Sequence, residues 1–286
     1  MGSLAAVSAY AGELAVTGNA TVSYSHGGAA DGADVNTNDQ ASIGHNTAIN
    51  FVGTGELDNG YTFVMAVSGK DNMAVGQTSS YTSLTMGSLG TLTTGTHTGG
   101  AASKYDEEVP QAYEQTSDAL SGGSSSSNKI GDQHDSGAIL YNSPEFDMGG
   151  ATVSFDVDYS LQADDSSATD GGQQTADHTT GAGTGLGITV KAEGLAFGIY
   201  GATIENTTDA NTKTAASNER DSFEGVTYIK YSTGPVAIGF SRSYMDSGKN
   251  TAGQSKDEIK TFRTAGGIFE NDQMSIAYNV NDALSV

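Results

Sequence analysis

The feature that most constrains this chain is a strict alternation of apolar and polar side chains, which recurs along most of its length. In residues 151 to 161, ATVSFDVDYSL, one parity carries Val153, Phe155, Val157, Tyr159 and Leu161. Successive side chains of a β-strand point to opposite faces, so this segment predicts a strand lying between two unlike media. Asp156 and Asp158 lie on the polar parity, and we expect that face to meet water.

The same pattern predicts further strands on both sides of this one. The first follows residue 12, and the second occupies residues 41 to 57. Tight turns are predicted at Asp58-Asn59-Gly60, at 87 to 90, at Glu193-Gly194 and at Gly234-Pro235, since Gly and Asn tolerate positive φ. Residues 260 to 269 predict one more strand.

The region after residue 269 allows two interpretations. Residues 270 to 272 and the pair Asn281-Asp282 both have turn composition, but too few residues separate them for a membrane-crossing strand. We therefore expect one of the two to be a bulge. The strand count predicted for the chain is about 12 to 14.

Short and long connections alternate along the chain. The long polar stretches are residues 27–40, 69–79, 97–136, 162–184, 205–221 and 246–258. A meander with short turns at one end and long loops at the other is typical of an outer-membrane barrel, whereas a soluble sandwich has no reason to sort its connections. The predicted fold class is therefore an all-β, antiparallel, transmembrane up-and-down β-barrel.

Composition agrees with a barrel that has little dry core. Only 36% of residues are hydrophobic and 39 are Gly, whereas a soluble domain is usually close to half apolar. No run of 18 apolar residues predicts a transmembrane helix. A membrane-spanning sheet must close on itself, with apolar side chains towards lipid and polar ones towards water.

The charge balance excludes one class of partner. With 34 acidic and 12 basic residues the net charge is −22, and no basic stripe exists that could bind nucleic acid. Cations are the expected ionic partners.

Motifs for catalysis and cofactors are missing from the sequence. The chain has no Cys and five scattered His without zinc-ligand spacing. GAGTGLG at 181 to 187 does not match the dinucleotide fingerprint and is interpreted as an ordinary loop, and no nucleophile elbow occurs. We therefore predict neither an enzyme nor a bound cofactor.

One loop has the composition of a weak calcium site. DDSSATDGG at 164 to 172 offers the carboxylates Asp164, Asp165 and Asp170, although their spacing is not that of an EF-hand. The alternative is a hydrated surface loop.

The N-terminus predicts export. Ala9-Tyr10-Ala11 fits the small-x-small cleavage pattern and follows a short apolar stretch. Residues 1–11 are interpreted as the remnant of a signal peptide that is cleaved after Ala11, with Gly12 the first mature residue.

Three hairpins carry a family resemblance. FVGTGELDNGYTFVMAV, SLTMGSLGTLTTGT and AILYNSPEFDMGGATVSFDVDYS, in this order, resemble the general trimeric porins of Gram-negative outer membranes, especially those of marine alphaproteobacteria. The resemblance covers residues 12–286. It implies an antiparallel barrel of about sixteen strands in outer-membrane lipid, assembled as a homotrimer, which passes small hydrophilic solutes and ions by diffusion.

The resemblance also implies that the third long loop, residues 97–136, folds into the lumen as a constriction. Its acidic residues are Asp106, Glu107, Glu108, Glu114 and Asp118. The sequence from Pro110 predicts a short helix within it. Carboxylates in a narrow passage attract cations. The alternative is that these acids only solvate an exposed loop.

The wall facing that loop departs from the family pattern, which commonly places several Arg there. The candidates for the pore-lining wall are Asp156, Asp158, Lys191, Lys230 and Arg263. Arg242 instead shares the parity of Ile238 and Phe240. A weakly basic wall favours cation preference.

The C-terminal sequence NDALSV lacks the terminal aromatic residue of the family. With the signal remnant, this predicts a fragment that lacks about two to four strands. Two alternatives to a general porin remain open: a secreted soluble all-β adhesin or surface-layer protein, and a substrate-specific channel with a binding site in its lumen.

Overall fold

A computed structural model of the chain describes residues 12–26, 41–70, 77–96, 100–106, 108–110, 130, 136–161, 180–206, 221–246, 268–281 and 284–285. The strands are β1 (Leu14–His26), β2 (Ala41–Glu56), β3 (Thr62–Lys70), β4 (Gln77–Thr85), β5 (Thr91–Thr96), β6 (Ser136–Asn142), β7 (Phe146–Asp147), β8 (Thr152–Ser160), β9 (Thr180–Ala192), β10 (Leu195–Asn206), β11 (Ser222–Thr233), β12 (Val236–Asp246), β13 (Ile268–Asn281) and β14 (Leu284–Ser285). Two short 3-10 helices are η1 (Gly87–Leu89) and η2 (Ala102–Lys104). Over the same ranges, no helix has the length and apolar character needed to cross a membrane.

The strands form one antiparallel meander. The sheet order is β1-β2-β3-β4-β5-β6-β8-β9-β10-β11-β12-β13-β14, and the short β7 adds to β8 beside β6. Each long strand therefore pairs with its neighbours along the chain. This arrangement confirms the predicted all-β antiparallel fold class.

The tight turns lie where the sequence predicts them. Between β2 and β3, the Leu57 amide donates to the Tyr61 carbonyl at 2.7 Å, and Gly60 adopts a φ of 80°. The side chain of Asn59 accepts a hydrogen bond from the Tyr61 amide at 3.1 Å. Glu193-Gly194 and Gly234-Pro235 join β9 to β10 and β11 to β12.

Two sequence interpretations are wrong. GAGTGLG at 181 to 187 is part of strand β9 rather than a loop. Residues 270 to 272 form neither a turn nor a bulge, since β13 pairs with β12 in continuous register from Ile268 to Tyr278. The irregularity in this region lies between Asn279 and Asn281, in the pairing of β13 with β14. Of the strand predicted over residues 260–269, only the last two residues are described.

The outer face of the sheet is apolar and exposed. Large hydrophobic side chains along it leave much of their surface uncovered, with Leu14 at 70%, Ile276 at 69% and Met274 at 75%. No second layer of described residues covers this face. Exposed apolar side chains over so wide an area need a non-aqueous partner, which a lipid bilayer supplies.

The buried core lies on the opposite, inner face. We call residues 100–106 and 108–110 the inner segment. Its residues Ala101, Ala102 and Tyr105 are buried against the inner side chains of β10 and β11. The sheet therefore has an apolar face on the outside and, inside, a small core between wall and inner segment.

Candidate functional site

Strand pairing arranges the inner-face residues in rows across the wall. One row runs through Asp156 on β8, Gly187 on β9, Tyr200 on β10 and Val226 on β11. Because all strands are in register here, residues far apart in sequence form a continuous surface. The inner segment lies on this surface.

The inner segment crosses the wall in the same order as the strands. The Ala101 amide donates to Asp158 of β8 at 2.7 Å, and Lys230 of β11 donates to Glu108 at 2.5 Å. The hydroxyl of Ser275 on β13 then donates to the Pro110 carbonyl at 2.5 Å. The segment thus runs across the strands from β8 to β13 rather than along any one of them.

Asp156 is the most connected side chain beneath the inner segment. Its carboxylate accepts hydrogen bonds from Lys104 at 2.7 and 3.0 Å, from the Tyr105 hydroxyl at 2.5 Å and from the Asn142 amide at 2.6 Å. The residue is 0% exposed. A buried carboxylate with one cationic and two neutral donors is well satisfied.

Tyr105 anchors the segment through its ring as well as its hydroxyl. The ring stacks on Tyr200 with centroids 5.5 Å apart and lies 6.3 Å from the ring of Tyr228. Thr189 donates to the Tyr105 hydroxyl at 3.3 Å. Burial and the hydrogen bond to Asp156 raise the pKa of Tyr105 well above its ordinary value, so the phenol stays protonated.

Two glycines leave the space that the inner segment occupies. A Cβ at Gly187 would overlap the ring of Tyr105, and one at Gly239 would lie 2.5 Å from Cδ of Pro110. Real Cβ atoms do not approach other atoms this closely. The absence of a side chain at these wall positions therefore permits the close contact between segment and wall.

A second row of the wall carries lysines. Lys191 of β9 and Lys230 of β11 both pair with Ala196 of β10, on the inner face. Lys191 donates to Glu145 at 2.9 Å, and this contact lowers the pKa of the exposed Glu145 carboxyl. The lysines line a recess of about 810 Å³, together with the side chain of Lys104.

One basic side chain of the described strands points outwards. Arg242 of β12 binds Asp272 of β13 through two hydrogen bonds of 2.5 and 2.7 Å. Their side chains are 62% and 52% exposed on the outer face, in the column of Ile238 and Phe240. Arg242 therefore has no part in the inner wall.

The structure brings together some of the residues predicted to form the site. Asp156 and Asp158 lie on the inner face but are covered by the inner segment, whereas we expected that face to meet water. Lys191, Lys230, Asp106 and Glu108 are described on or near the wall. Several other candidates lie outside the described residues: Glu107, Glu114, Asp118, Arg263, Asp164, Asp165, Asp170 and the helix predicted from Pro110. In the described part of the chain, no group of three potential metal ligands occurs.

Sequence reasoning missed the aromatic part of the site. Tyr200 and Tyr228 lie on the inner parity of their strands, where only polar side chains were expected. The sequence of β10 did carry a signal for this burial. Its inner-facing residues from 196 to 204 are Ala, Gly, Tyr, Ala and Ile, and its outer-facing residues are also largely apolar. A strand that is apolar on both faces is typically covered on both sides.

Comparisons with known proteins agree with this architecture. A family model described as Gram-negative porin matches residues 1–284. No curated protein matches the chain. Salmonella typhi OmpF in complex with daunomycin is similar in structure, with a TM-score of 0.57 and 12% identity over 94% of this chain and 74% of that chain. A porin refined at 1.8 Å resolution gives a TM-score of 0.52 and 14% identity over 93% of this chain and 77% of that chain. Identities this low show a common fold alone.

Proposed function

The chain belongs to the Gram-negative porin family and forms an outer-membrane channel, and we propose that this channel passes small hydrophilic solutes and ions by passive diffusion, with a preference for cations. The proposal concerns transport only, with no catalytic step and no cofactor. Weak calcium binding at Asp164, Asp165 and Asp170 stays a prediction.

The observation that carries the cation preference is the pairing of the inner-face lysines. Lys104 binds Asp156, Lys191 binds Glu145 and Lys230 binds Glu108. Each of these three positive charges is thus offset by a carboxylate next to it. The chain as a whole has 34 acids against 12 bases, and this excess of acids supports a preference for cations.

The inner segment supports a second part of the proposal, that residues 97–136 form the constriction. It lies against the inner wall, held by Asp156, Asp158, Lys230 and Ser275. A segment held against the inner wall supports a narrowing of the lumen with Glu108 among its lining residues. Asp106 and Glu107 are its neighbours in sequence.

Other features follow from the family resemblance and are proposed with it. They are a barrel of about sixteen strands, assembly as a homotrimer, cleavage of residues 1–11 after Ala11, and a particular likeness to porins of marine alphaproteobacteria. The exposed apolar outer face favours a membrane channel over a soluble adhesin. The lysine-lined recess favours the other alternative to a general porin, a substrate-specific channel with a binding site in its lumen.

The direct test is the reversal potential of the full-length protein in planar bilayers across a KCl gradient. A reversal potential with the sign expected for a cation-selective channel supports the proposal. A reversal potential of the opposite sign, which shows anion preference, contradicts it. Neutralising the acids with Asp106→Asn, Glu107→Gln and Glu108→Gln should reduce cation preference. Unchanged selectivity would remove these residues from the constriction. Asp272→Asn on the outer face is the matched control.

A further inference from the structure

The ion pair of Arg242 and Asp272 lies on a face of the sheet that is otherwise apolar around it. Its neighbours along the outer face of β12 and β13 are Phe240 and Met274, which pair with each other and are both exposed. Across the strands, the same row leads from β12 to the exposed, apolar Ile199 of β10. The two charges therefore interrupt an apolar surface.

The pair also lies at the level of the bilayer. Arg242 comes six residues after Val236, the first residue of β12 beyond the turn at Gly234-Pro235. At about 3.3 Å per residue and a strand tilt of about 40°, Arg242 lies roughly 15 Å from that turn along the barrel axis. The lipid-facing band of an outer-membrane barrel is about 25 Å tall, so the pair falls inside it. Charged side chains at such a depth destabilise a barrel unless another group covers them.

The contact within one copy uses only part of the hydrogen-bonding capacity of the two side chains. Arg242 donates from Nε and Nη2 to the two carboxylate oxygens of Asp272. A guanidinium has five N–H groups, and no other described residue accepts a hydrogen bond from the remaining three. Both side chains are more than half exposed, so the unused donors and lone pairs face away from the barrel. Lipid tails offer these groups no partner.

We propose that the outer face of β12 and β13 is a contact surface for a second copy of this chain in the same membrane. Two copies inserted in the same direction are related by a two-fold axis along the membrane normal, which brings identical surfaces together. This axis reverses the lateral order of the two charges, so Arg242 of each copy faces Asp272 of the other. The four side chains form a closed, electrically neutral ring in which each guanidinium binds two carboxylates.

The neutrality of the pair favours this partner over a lipid headgroup. A lipid phosphate that approached Arg242 would also meet the carboxylate of Asp272, and a lipid amine that approached Asp272 would also meet the guanidinium. A second copy presents both charges in the complementary order. The apolar side chains around the pair gain little by exchanging lipid for protein, so the charges supply most of the attraction.

This contact is separate from the proposed homotrimer and goes beyond the proposed function. A two-fold contact does not close a ring of three chains, so it joins one assembly to another. It makes no demand on the lumen, because both charges lie on the outer face.

Cross-linking through a single thiol tests the proposal, because the chain has no Cys of its own. Phe240 is the outer-face residue next to Arg242 and lies close to the proposed axis. The full-length protein with Phe240→Cys, in phosphatidylcholine vesicles with a short bifunctional maleimide, should give pairs of joined chains on a denaturing gel. Ile199→Cys is the matched control, because two copies of Ile199 would lie roughly 20 Å apart at the strand spacing of a sheet and should be joined far less.

Two double variants in the Phe240→Cys background test the charges themselves. Arg242→Leu with Asp272→Leu removes both charges and keeps the face apolar, and cross-linking should then need about tenfold more protein per lipid, which corresponds to roughly 1.4 kcal/mol. Arg242→Asp with Asp272→Arg exchanges the charges and preserves the ring in the reverse order. The exchanged variant should cross-link as the parent does. Ion conductance in bilayers shows that each variant has folded.

Three results would overturn the proposal. The first is a conducting Phe240→Cys protein that forms no cross-linked pairs. The second is equal cross-linking of Phe240→Cys and Ile199→Cys, which random collision explains. The third is undiminished cross-linking after both charges are replaced by leucine, which removes the charge ring as its cause. None of these results concerns ion conduction, so the proposed channel function is judged separately.

Discussion

The hydroxyl of Tyr105 donates a 2.5 Å hydrogen bond to the buried carboxylate of Asp156, 51 residues further along the chain. This contact joins the inner segment to strand β8. The ring of Tyr105 at the same time stacks on Tyr200 of β10. One side chain therefore fixes the segment through polar and apolar contacts together, which makes it the natural place to test how the segment is held.

Truncating Tyr105 should loosen the inner segment in two steps. Tyr105→Phe removes one donor to Asp156 and is expected to cost about 1–3 kcal/mol of unfolding free energy. Tyr105→Ala also removes the stacked ring and is expected to cost about 3–5 kcal/mol. Thermal unfolding in detergent measures both. Tyr278→Phe on the outer face is the control and should stay within about 0.5 kcal/mol of wild type.

Single-channel conductance gives Tyr105→Ala a second readout. If the ring holds the segment against the wall, the alanine variant should show larger or more variable conductance than wild type. Identical conductance with reduced stability would mean that other contacts suffice to position the segment.

Gly187→Ala should destabilise the contact between Tyr105 and strand β9 of the wall. The new Cβ overlaps the Tyr105 ring, and overpacking of this kind costs about 1–3 kcal/mol. Gly201→Ala on the outer face is the matched control, because its Cβ would lie 3.5 Å from the Phe223 ring, an ordinary contact. Thermal unfolding is again the measurement.

A double-mutant cycle sharpens that prediction. In the background of Tyr105→Ala, the cost of Gly187→Ala should largely disappear, since the ring it meets is gone. An undiminished cost would show that Gly187 is required for a reason other than space for Tyr105.

Neutralising Asp156 should change selectivity as well as stability. Asp156→Asn keeps the shape of the side chain but leaves the Lys104 ammonium without its carboxylate. The uncompensated positive charge beside the lumen should shift the reversal potential towards anions. Asp272→Asn removes the carboxylate partner of Arg242 on the outer face and should leave selectivity unchanged. Equal shifts of the reversal potential in the two variants would contradict the placement of Lys104 beside the lumen.

Alkaline pH should weaken the contribution of Tyr105 to folding stability. Burial raises the pKa of its hydroxyl above that of an exposed tyrosine, which is about 10. Below pH 10 both folded and unfolded states are protonated and the contribution is complete. Above pH 10 the unfolded state loses the proton first, so folding stability falls as pH rises. Wild type should therefore lose more stability between about pH 9 and 11 than Tyr105→Phe does; parallel curves would contradict this.

The strands and tight turns could be predicted from the sequence because their signals are local. Alternation identifies β8 within eleven residues. The pair Asn59-Gly60 is enough to identify the hairpin between β2 and β3. The exposed apolar column of β12 likewise placed Arg242 on the outer face. Such patterns depend only on neighbours along the chain.

The contacts of the inner segment could not be predicted in this way. Gly183, Gly185 and Gly187 alternate with larger residues in β9, but a strand face without side chains has no hydrophobic signal, and it resembles a flexible loop. Likewise, the burial of Asp156 depends on Lys104 and Tyr105, which lie about fifty residues away. Composition shows that an acid lies on a polar face, but not what covers that face.

The crossing of the inner segment over the strands from β8 to β13 has a consequence for the order of folding. Each hairpin joins neighbours in sequence and can form early, whereas the bond between Pro110 and Ser275 closes a loop of 165 residues. The surface that receives the segment does not exist until strands synthesised long after it have paired. We therefore expect the hairpins to pair before the inner segment docks, so that a chain caught between the two steps would have its strands in place and Tyr105 still exposed.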